Sequence, residues 1–154
     1  MLTEGEPAPD FTLPRDGGGT ITLSALRPWK TVVFFYPKAD TPGCTTESLD
    51  FSALIEEFNA AETAVIGISK DAVKAQDKFI AKRGLKVVMA SDAAAETCET
   101  WGVWGEKSMY GKTFMGITRA TFLIDRQGRI ARVWPKVKVD GHAAEVLEAA
   151  RRLD

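Results

Sequence analysis

Residues 31–47 have the sequence TVVFFYPKADTPGCTTE, which gives the main indication of the fold. Its first part, Thr31 to Tyr36, is almost continuously β-branched or aromatic, which is typical of a strand buried on both faces of a parallel or mixed sheet. Pro37 ends that strand. Apolar residues then recur at helical spacing, at Leu49, Phe51, Leu54, Ile55 and Phe58. The stretch predicts a strand, a turn and a helix, with Cys44 at or near the first turn of the helix.

Strand and helix signals alternate along the rest of the chain. We expect strands at 64–68 and 86–90, helices from the cap 69–71 to about 82, at 93–101 after the cap 91–92, and at 143–153, an N-terminal hairpin of 10–13 and 20–23, and a late hairpin of 118–125 and 128–134. This order predicts an α/β fold in which helices flank a mixed central sheet, with an N-terminal β-hairpin. A thioredoxin-like fold is the natural candidate, as one domain over residues 1–154.

The composition is that of a globular domain with a sizeable core. Of the 154 residues, 45% are hydrophobic and 27% charged, and 20 basic against 21 acidic residues give a net charge of -1. This balance gives no drive toward nucleic acid or an anionic membrane, so we expect small-molecule or protein partners. The sequence shows no targeting segment and no apolar run that would span a bilayer, and we expect a cytoplasmic protein.

The two cysteines, Cys44 and Cys98, are too few for a disulfide framework and indicate thiol chemistry or core packing. They are far apart in the sequence and do not form a Cys-x-x-Cys motif, which disfavours a dithiol oxidoreductase. No cofactor is expected. The single histidine, His142, makes a four-ligand metal site unfavourable, and we expect it to cap the last helix or to face solvent.

Cys44 lies where a Pro-Gly turn leads into a helix. Free N–H groups and the positive end of the helix dipole stabilise an anion at this place, which favours the nucleophilic thiolate. The Thr41 hydroxyl could reach the same space, and Arg119, at the entry to a later strand, could supply a second positive charge. The alternative for Cys44 is an ordinary buried small residue, since free cysteines are often buried.

Several motifs resemble one known family. The pattern Pro37-x-x-x-Thr41-x-x-Cys44 is similar to the active-site pattern of the peroxiredoxins. The segments 36–38, 41–45 and 102–107 resemble the subgroup called PrxQ, or bacterioferritin comigratory protein. The similarity extends in order from 7–11 to 116–125.

The resemblance implies a thioredoxin fold with an N-terminal extension and a thioredoxin-dependent peroxidase activity on hydrogen peroxide and organic hydroperoxides. Cys44 would be the peroxidatic cysteine that becomes a sulfenic acid, Thr41 and Arg119 its hydrogen-bonding partners, and Pro37 a shield for the pocket. Glu47 also matches a family position and would orient Arg119. Its alternative is an acidic residue that the helix dipole favours in the first turn.

The sequence departs from the family in the second, resolving cysteine. Members of the subgroup carry it either five residues after the peroxidatic cysteine, here Leu49, or on the next helix, here within 79–81. Cys98 is then either a structural thiol of the core or an unusual resolver, within the chain or between chains. We therefore predict a one-cysteine mechanism in which an external thiol, such as thioredoxin, glutaredoxin or a small-molecule thiol, reduces the sulfenic acid. A monomer is expected, with a dimer as the alternative.

Two other functions stay open at this stage. In a redox-sensing or chaperone-like binding protein, oxidation of Cys44 would be a signal, and in a structural module the cysteine would be inert. The aromatic- and glycine-rich stretch 101–116 either lines the rim of a peroxide pocket or packs as a loop over the sheet.

Overall fold

The structure, a computed structural model, describes all 154 residues. It contains nine strands, five α-helices and one short 3-10 helix. In chain order these are β1 (Thr12–Pro14), β2 (Thr20–Thr22), the 3-10 helix (Leu23–Leu26), β3 (Lys30–Phe35), α1 (Pro42–Ala53), α2 (Ile55–Ala60), β4 (Thr63–Ser69), α3 (Val73–Arg83), β5 (Val88–Ser91), α4 (Thr97–Thr100), β6 (Trp104–Met109), β7 (Lys112–Ile117), β8 (Ala120–Ile124), β9 (Ile130–Trp134) and α5 (His142–Arg152).

A five-stranded mixed sheet in the order β5-β4-β3-β8-β9 forms the centre of the molecule. Strand β3 lies in the middle, parallel to β4 and antiparallel to β8. Every residue of β3 is buried, as its apolar sequence predicts. The predicted α/β architecture, the mixed central sheet with flanking helices and the N-terminal β1–β2 hairpin are confirmed.

Two apolar clusters cover the two faces of this sheet. Alternate residues of β3 divide between them, because successive side chains of a strand point to opposite faces: Val32 and Phe34 lie in one cluster, Val33 and Phe35 in the other. Cys44 belongs to the cluster under α1 and α5, together with Phe34. Cys98 belongs to the opposite cluster, with Phe35. The central sheet therefore separates the two cysteines.

One edge of the sheet gathers the segments that carry the predicted site. Strands β3 and β4 run parallel and both end there, and the antiparallel β8 begins there: Phe35 is paired with Ile68 on one side and with Ala120 on the other. The loop that leads to Cys44, the start of α3 and Arg119 consequently meet at this edge, although they are distant in sequence.

Helix boundaries differ from the expectation at two places. The helix that carries Cys44 breaks at Leu54, whose φ and ψ of -102° and 7° separate α1 from α2. Helix α3 begins after Ala72 without a side-chain cap, because Asp71 accepts hydrogen bonds from the Ala39 N–H and the Ser69 hydroxyl instead. Gly84 ends α3 in the left-handed conformation, as predicted.

The region after β5 also differs from the expectation. The helix predicted at 93–101 is reduced to α4, Thr97–Thr100. The stretch 101–116, considered as a loop, instead contains the antiparallel hairpin of β6 and β7. This hairpin is paired to no other strand, and its apolar residues Met109, Tyr110, Phe114 and Met115 are exposed. None of the helices has the length and apolar character needed to cross a bilayer.

Candidate active site

Cys44 is the third residue of α1, directly beyond the edge where β3 ends. Thr41 is the N-cap, with an extended backbone, and Pro42 occupies the first helical position, where its fixed φ suits the helix and its missing N–H costs nothing. The Cys44 side chain is fully buried, against residues such as Phe51. The helix-start placement of Cys44 predicted from the sequence is confirmed.

The helix start offers free hydrogen-bond donors next to the sulfur. Pro42 has no N–H, and the Thr45 N–H is the first in α1 with an intrahelical acceptor, the Thr41 carbonyl oxygen at 2.8 Å. The N–H groups of Gly43 and Cys44 have no acceptor within the protein. Such a pair of donors at a helix start can bind an anion or the oxygen of a polar ligand.

Arg119 approaches the sulfur from the neighbouring strand. It immediately precedes β8, and its carbonyl oxygen accepts a hydrogen bond from the Val137 N–H at 2.9 Å, which fixes the backbone there. The guanidinium Nη2 lies 3.3 Å from Cys44 Sγ, and Nη1 lies 2.7 Å from Glu47 Oε1. The structure thus brings three of the residues singled out in the sequence into one connected group.

Gly43 permits this approach. A Cβ atom at position 43 would lie 3.0 Å from Arg119 Nη2, closer than most real contacts allow. The turn conformation suggested by its Pro-Gly context is not its reason, because Gly43 lies inside α1 and has no positive φ. The sequence alone gave no signal for this role, since the guanidinium that needs the space lies far along the chain.

Glu47 is placed one turn after Cys44 on the same helix and holds the guanidinium from the other side. Its side chain is only 1% exposed, and Oε2 has no hydrogen-bond partner. Burial raises the pKa of Glu47 to about 7, against the opposing charge and hydrogen bond of Arg119. Burial acts to lower the pKa of Arg119, but the nearby Glu47 and Cys44 outweigh it and raise that pKa.

Thr41 and Pro37 lie in the segment between β3 and α1, and neither forms a hydrogen bond to the sulfur. The Thr41 hydroxyl donates a hydrogen bond to the Lys38 carbonyl oxygen at 2.8 Å, and no hydrogen bond joins it to Cys44. Because its proton is used in this way, the hydroxyl oxygen is left as an acceptor toward the site. Pro37 is half-buried in the loop between β3 and α1.

Cys98 has very different surroundings. It lies in α4, fully buried, and the two carboxylate oxygens of Asp92 accept the N–H groups of Thr97 and Cys98 at 3.0 and 2.8 Å. Burial raises the pKa of Cys98, and the hydrogen bond and charge of Asp92 raise it further. Cys98 is therefore held as a neutral thiol on the far side of the sheet.

His142 neither faces solvent nor caps α5, contrary to the expectation. It is the first residue of α5, 4% exposed, and Gly141 is the N-cap. Its Nε2 lies 2.8 Å from the Thr121 hydroxyl, and its ring packs edge-on against Phe51 and Trp134. Burial lowers the pKa of His142 to about 4, so the ring is neutral at physiological pH.

The geometry supports nucleophilic chemistry at sulfur. A guanidinium and two free N–H groups surround Cys44, and they stabilise negative charge on the sulfur or on an oxygen beside it. A two-electron attack on a polarised bond would use both features, because negative charge leaves the sulfur and appears on the departing atom.

Comparison with known proteins agrees with this chemistry. Residues 5–133 match the model of the AhpC/TSA family. The putative peroxiredoxin Bcp of Coxiella burnetii is 48% identical over 143 residues, which cover 93% of this chain and 95% of that protein. The peroxiredoxin Bcp of Xanthomonas campestris is 46% identical over 147 residues, covering 94% and 92%.

A solved structure shows the same relationship in three dimensions. It is the Xanthomonas campestris bacterioferritin comigratory protein, studied for its alkyl peroxide reduction activity in trapped intermediate and ligand complexes. It is 42% identical, superposes with a TM-score of 0.89, and covers 97% of this chain and 98% of its own. The predicted thioredoxin-like fold is confirmed by this match.

Proposed function

The chain belongs to the AhpC/TSA family, among the peroxiredoxins of the Bcp or PrxQ type, and we propose that it is a thiol-dependent peroxidase that reduces hydrogen peroxide and organic hydroperoxides at Cys44. The observation that carries this proposal is the 3.3 Å contact between Arg119 Nη2 and Cys44 Sγ at a helix start with two free N–H groups.

In the first step, the Cys44 thiolate attacks one oxygen of the hydroperoxide. The S–O bond forms as the O–O bond breaks, the sulfur is oxidised to the sulfenic acid, and the peroxide is reduced to an alkoxide or hydroxide that takes up a proton. Arg119 stabilises the thiolate before the attack and the departing oxygen after it. The N–H groups of Gly43 and Cys44 bind peroxide oxygen.

Thr41 and Pro37 complete the proposed site. The Thr41 hydroxyl donates to Lys38, so its oxygen can accept the O–H of the incoming hydroperoxide and orient it toward the sulfur. Pro37 has no N–H of its own and, half-buried in the loop before α1, shields the reacting atoms from water. Glu47 acts through Arg119 and is a positioning residue.

We propose that Cys44 is recycled without a second cysteine of the chain. The two usual resolver positions hold Leu49 and the segment 79–81, which contain no cysteine. Cys98 lies on the opposite face of the central sheet, whereas a disulfide needs Cα atoms within about 7 Å. An external thiol, from thioredoxin, glutaredoxin or a small molecule, then attacks the sulfenic sulfur and releases water, and a second thiol frees Cys44 as a disulfide of the reductant leaves.

The setting of the enzyme is part of the proposal. We propose a working monomer, with a dimer as the alternative. The family match over residues 5–133 supports one domain across 1–154. Two free thiols and no disulfide support an antioxidant role in the reducing cytoplasm.

The proposal is tested by following peroxide consumption with thioredoxin, glutaredoxin and glutathione systems in parallel. We expect sustained turnover with at least one of them, loss of turnover in Cys44→Ser, and unchanged turnover in the matched variant Cys98→Ser. Mass spectrometry of the peroxide-treated enzyme should find a trappable sulfenic acid on Cys44.

Two outcomes would contradict the proposal in different ways. A single oxidation of Cys44 without turnover in any thiol system would indicate a redox sensor. A stoichiometric Cys44–Cys98 disulfide, or loss of turnover in Cys98→Ser, would leave the peroxidase activity standing and overturn the one-cysteine mechanism.

A further inference from the structure

A cationic groove lies beside the loop that leads to Cys44, on the side away from Arg119. We call it the α3 groove. Its volume is about 360 Å³, within the range of small-molecule sites. Its principal lining residues are Lys38, Asp40, Asp71, Lys78, Phe79 and Lys82. One wall is the loop 38–40 and the other is a single face of α3.

The free charge in the groove is positive. Asp40, with a left-handed φ of 60°, is already shared by two cations: Lys82 Nζ lies 2.7 Å and Arg83 Nε 3.0 Å from its carboxylate oxygens. These hydrogen bonds hold the pKa of Asp40 below its usual range. By contrast, Lys38 and Lys78 are exposed and have no carboxylate within salt-bridge distance.

The second carboxylate of the lining is committed to the fold. Asp71 accepts the Ala39 N–H at 2.8 Å and the Ser69 hydroxyl at 2.7 Å, which ties the loop before Cys44 to the end of β4. It has no cation within salt-bridge distance and keeps its negative charge, so the three lysines of the lining outnumber its two carboxylates by one. The ammonium groups of Lys38 and Lys78 are therefore available to an anionic ligand.

The groove adjoins the apolar cluster that holds the reactive sulfur. Phe79 belongs to the same cluster as Cys44, and Ala39 packs against that cluster. Strand order places the groove on the β4 side of β3 and Arg119 on the β8 side. The groove and Arg119 therefore lie on opposite flanks of the loop.

We infer that the α3 groove binds the reductant, and that this reductant is a low-molecular-weight thiol carrying carboxylate groups, of the glutathione class. The inference rests on the proposed function, in which no second cysteine of the chain recycles Cys44. Lys38 and Lys78 hold the carboxylates, and the thiol sulfur attacks the sulfenic sulfur of Cys44. The S–S bond forms as the S–O bond breaks, hydroxide leaves with the thiol proton as water, and a second thiol molecule releases Cys44 and the reductant disulfide.

The test compares glutathione with 2-mercaptoethanol, a thiol without carboxylates, as reductants of the full-length enzyme. In the double variant Lys38→Gln/Lys78→Gln, we expect KM for glutathione to rise about tenfold, since each exposed ion pair contributes little by itself and two act together. The rate with 2-mercaptoethanol and the rate of Cys44 oxidation by peroxide should stay unchanged. Added salt should weaken the binding of glutathione and leave the rate with 2-mercaptoethanol unchanged.

Lys74→Gln is the matched control, because Lys74 is an exposed lysine of the same helix outside the groove lining. It should leave all rates as in the wild type. An unchanged KM for glutathione in the double variant would overturn the inference, as would turnover with protein thiols only. Slower oxidation of Cys44 by peroxide in the double variant would also overturn it, because the groove would then bind the peroxide and not the reductant.

The failure of this inference differs from a failure of the proposed function. If Cys44 is oxidised and 2-mercaptoethanol sustains turnover while the double variant behaves as wild type, only the reductant site is wrong. If peroxide does not oxidise Cys44 in any variant, the proposed peroxidase function is wrong. The inferred reductant site is then wrong as well, because no sulfenic acid forms for the reductant to attack.

Discussion

The buried carboxyl group of Glu47 gives the sharpest prediction, through the variant Glu47→Gln. Folding raises the pKa of Glu47 from 4.5 to about 7, because burial outweighs the attraction of Arg119. A carboxyl group of this kind binds its proton more tightly in the native state, so its contribution to the free energy of unfolding falls as pH rises from about 4.5 to 7. At about 1.36 kcal/mol per pKa unit, the loss approaches roughly 3 kcal/mol.

Glutamine resembles the protonated side chain in shape and charge, and its amide oxygen can still accept from Arg119 Nη1. The variant should therefore match the wild type near pH 4.5 and be more stable at pH 8, by roughly 3 kcal/mol. Urea denaturation of both proteins across this range measures the difference. The two proteins must be compared at each pH, because a second group changes the stability of both. The pKa of His142 is lowered to about 4 in the folded protein, so the free energy of unfolding falls as pH drops below about 6.5, opposite to the effect of Glu47.

The prediction is refuted if the difference in the free energy of unfolding between variant and wild type does not change with pH. It is also refuted if the wild type becomes more stable relative to the variant as pH rises. That result would mean that the ion pair with Arg119 outweighs burial. Glu56→Gln is the control for the loss of a carboxylate at the surface, because Glu56 is exposed and forms no ion pair. Glu47→Gln should also slow Cys44 oxidation about tenfold at pH 8, since a neutral acceptor holds the guanidinium less firmly than a charged one.

Three further substitutions probe the same region. Arg119→Met should lower the second-order rate constant of Cys44 oxidation by about 10²–10³-fold, because it removes one donor that stabilises developing negative charge. Stopped-flow kinetics measure this rate constant, and a decrease of less than tenfold would contradict the role of Arg119. Gly43→Ala should stabilise α1 by up to about 1 kcal/mol yet slow oxidation about tenfold, because the Cβ would displace the guanidinium; unchanged kinetics would show that Arg119 yields freely. His142→Ala should lower the free energy of unfolding by about 2–4 kcal/mol, since it leaves a cavity and an unpaired Thr121 hydroxyl, and a loss below about 1 kcal/mol would show that the site collapses around the gap.

Most of the central sheet could be predicted from the sequence, because burial on both faces leaves an unbroken apolar pattern in β3. The start of α1 could be predicted from Pro42 at its first position, but its buried face is largely polar and Leu49 is exposed. The β6–β7 hairpin could not be predicted. Its apolar residues Met109, Tyr110, Phe114 and Met115 face solvent, and its strands are paired only to each other, so no burial pattern marks most of their length. The length of α4 was overestimated, because a helical pattern does not show where the helix begins. The N–H groups of Thr97 and Cys98 donate to the Asp92 carboxylate and not to carbonyl oxygens of a preceding helical turn.

The candidate site was predictable only in part from local sequence. The helix start of Cys44 follows from its neighbours, but the contact with Arg119 depends on the antiparallel register of β3 and β8. The chemistry of a thiolate made Arg119 a candidate source of positive charge, but only the family resemblance implied that Arg119 contacts Cys44. The hydroxyl of Thr41 bonds to Lys38 and not to the sulfur, which no motif predicts, and the burial of His142 likewise depends on α5 packing over the sheet.

Helix position alone does not decide which cysteine reacts. Both Cys44 and Cys98 lie within the first turn of a helix and are fully buried, although α4 has only four residues and its dipole is correspondingly small. The difference lies in the nearest charge. Arg119 donates a hydrogen bond to the sulfur of Cys44 and places a positive charge beside it. Burial raises the pKa of Cys98, and Asp92 beside that thiol raises it further. We therefore expect peroxide to oxidise Cys44 while Cys98 stays a thiol in the same molecule, and mass spectrometry after one equivalent of peroxide measures this selectivity.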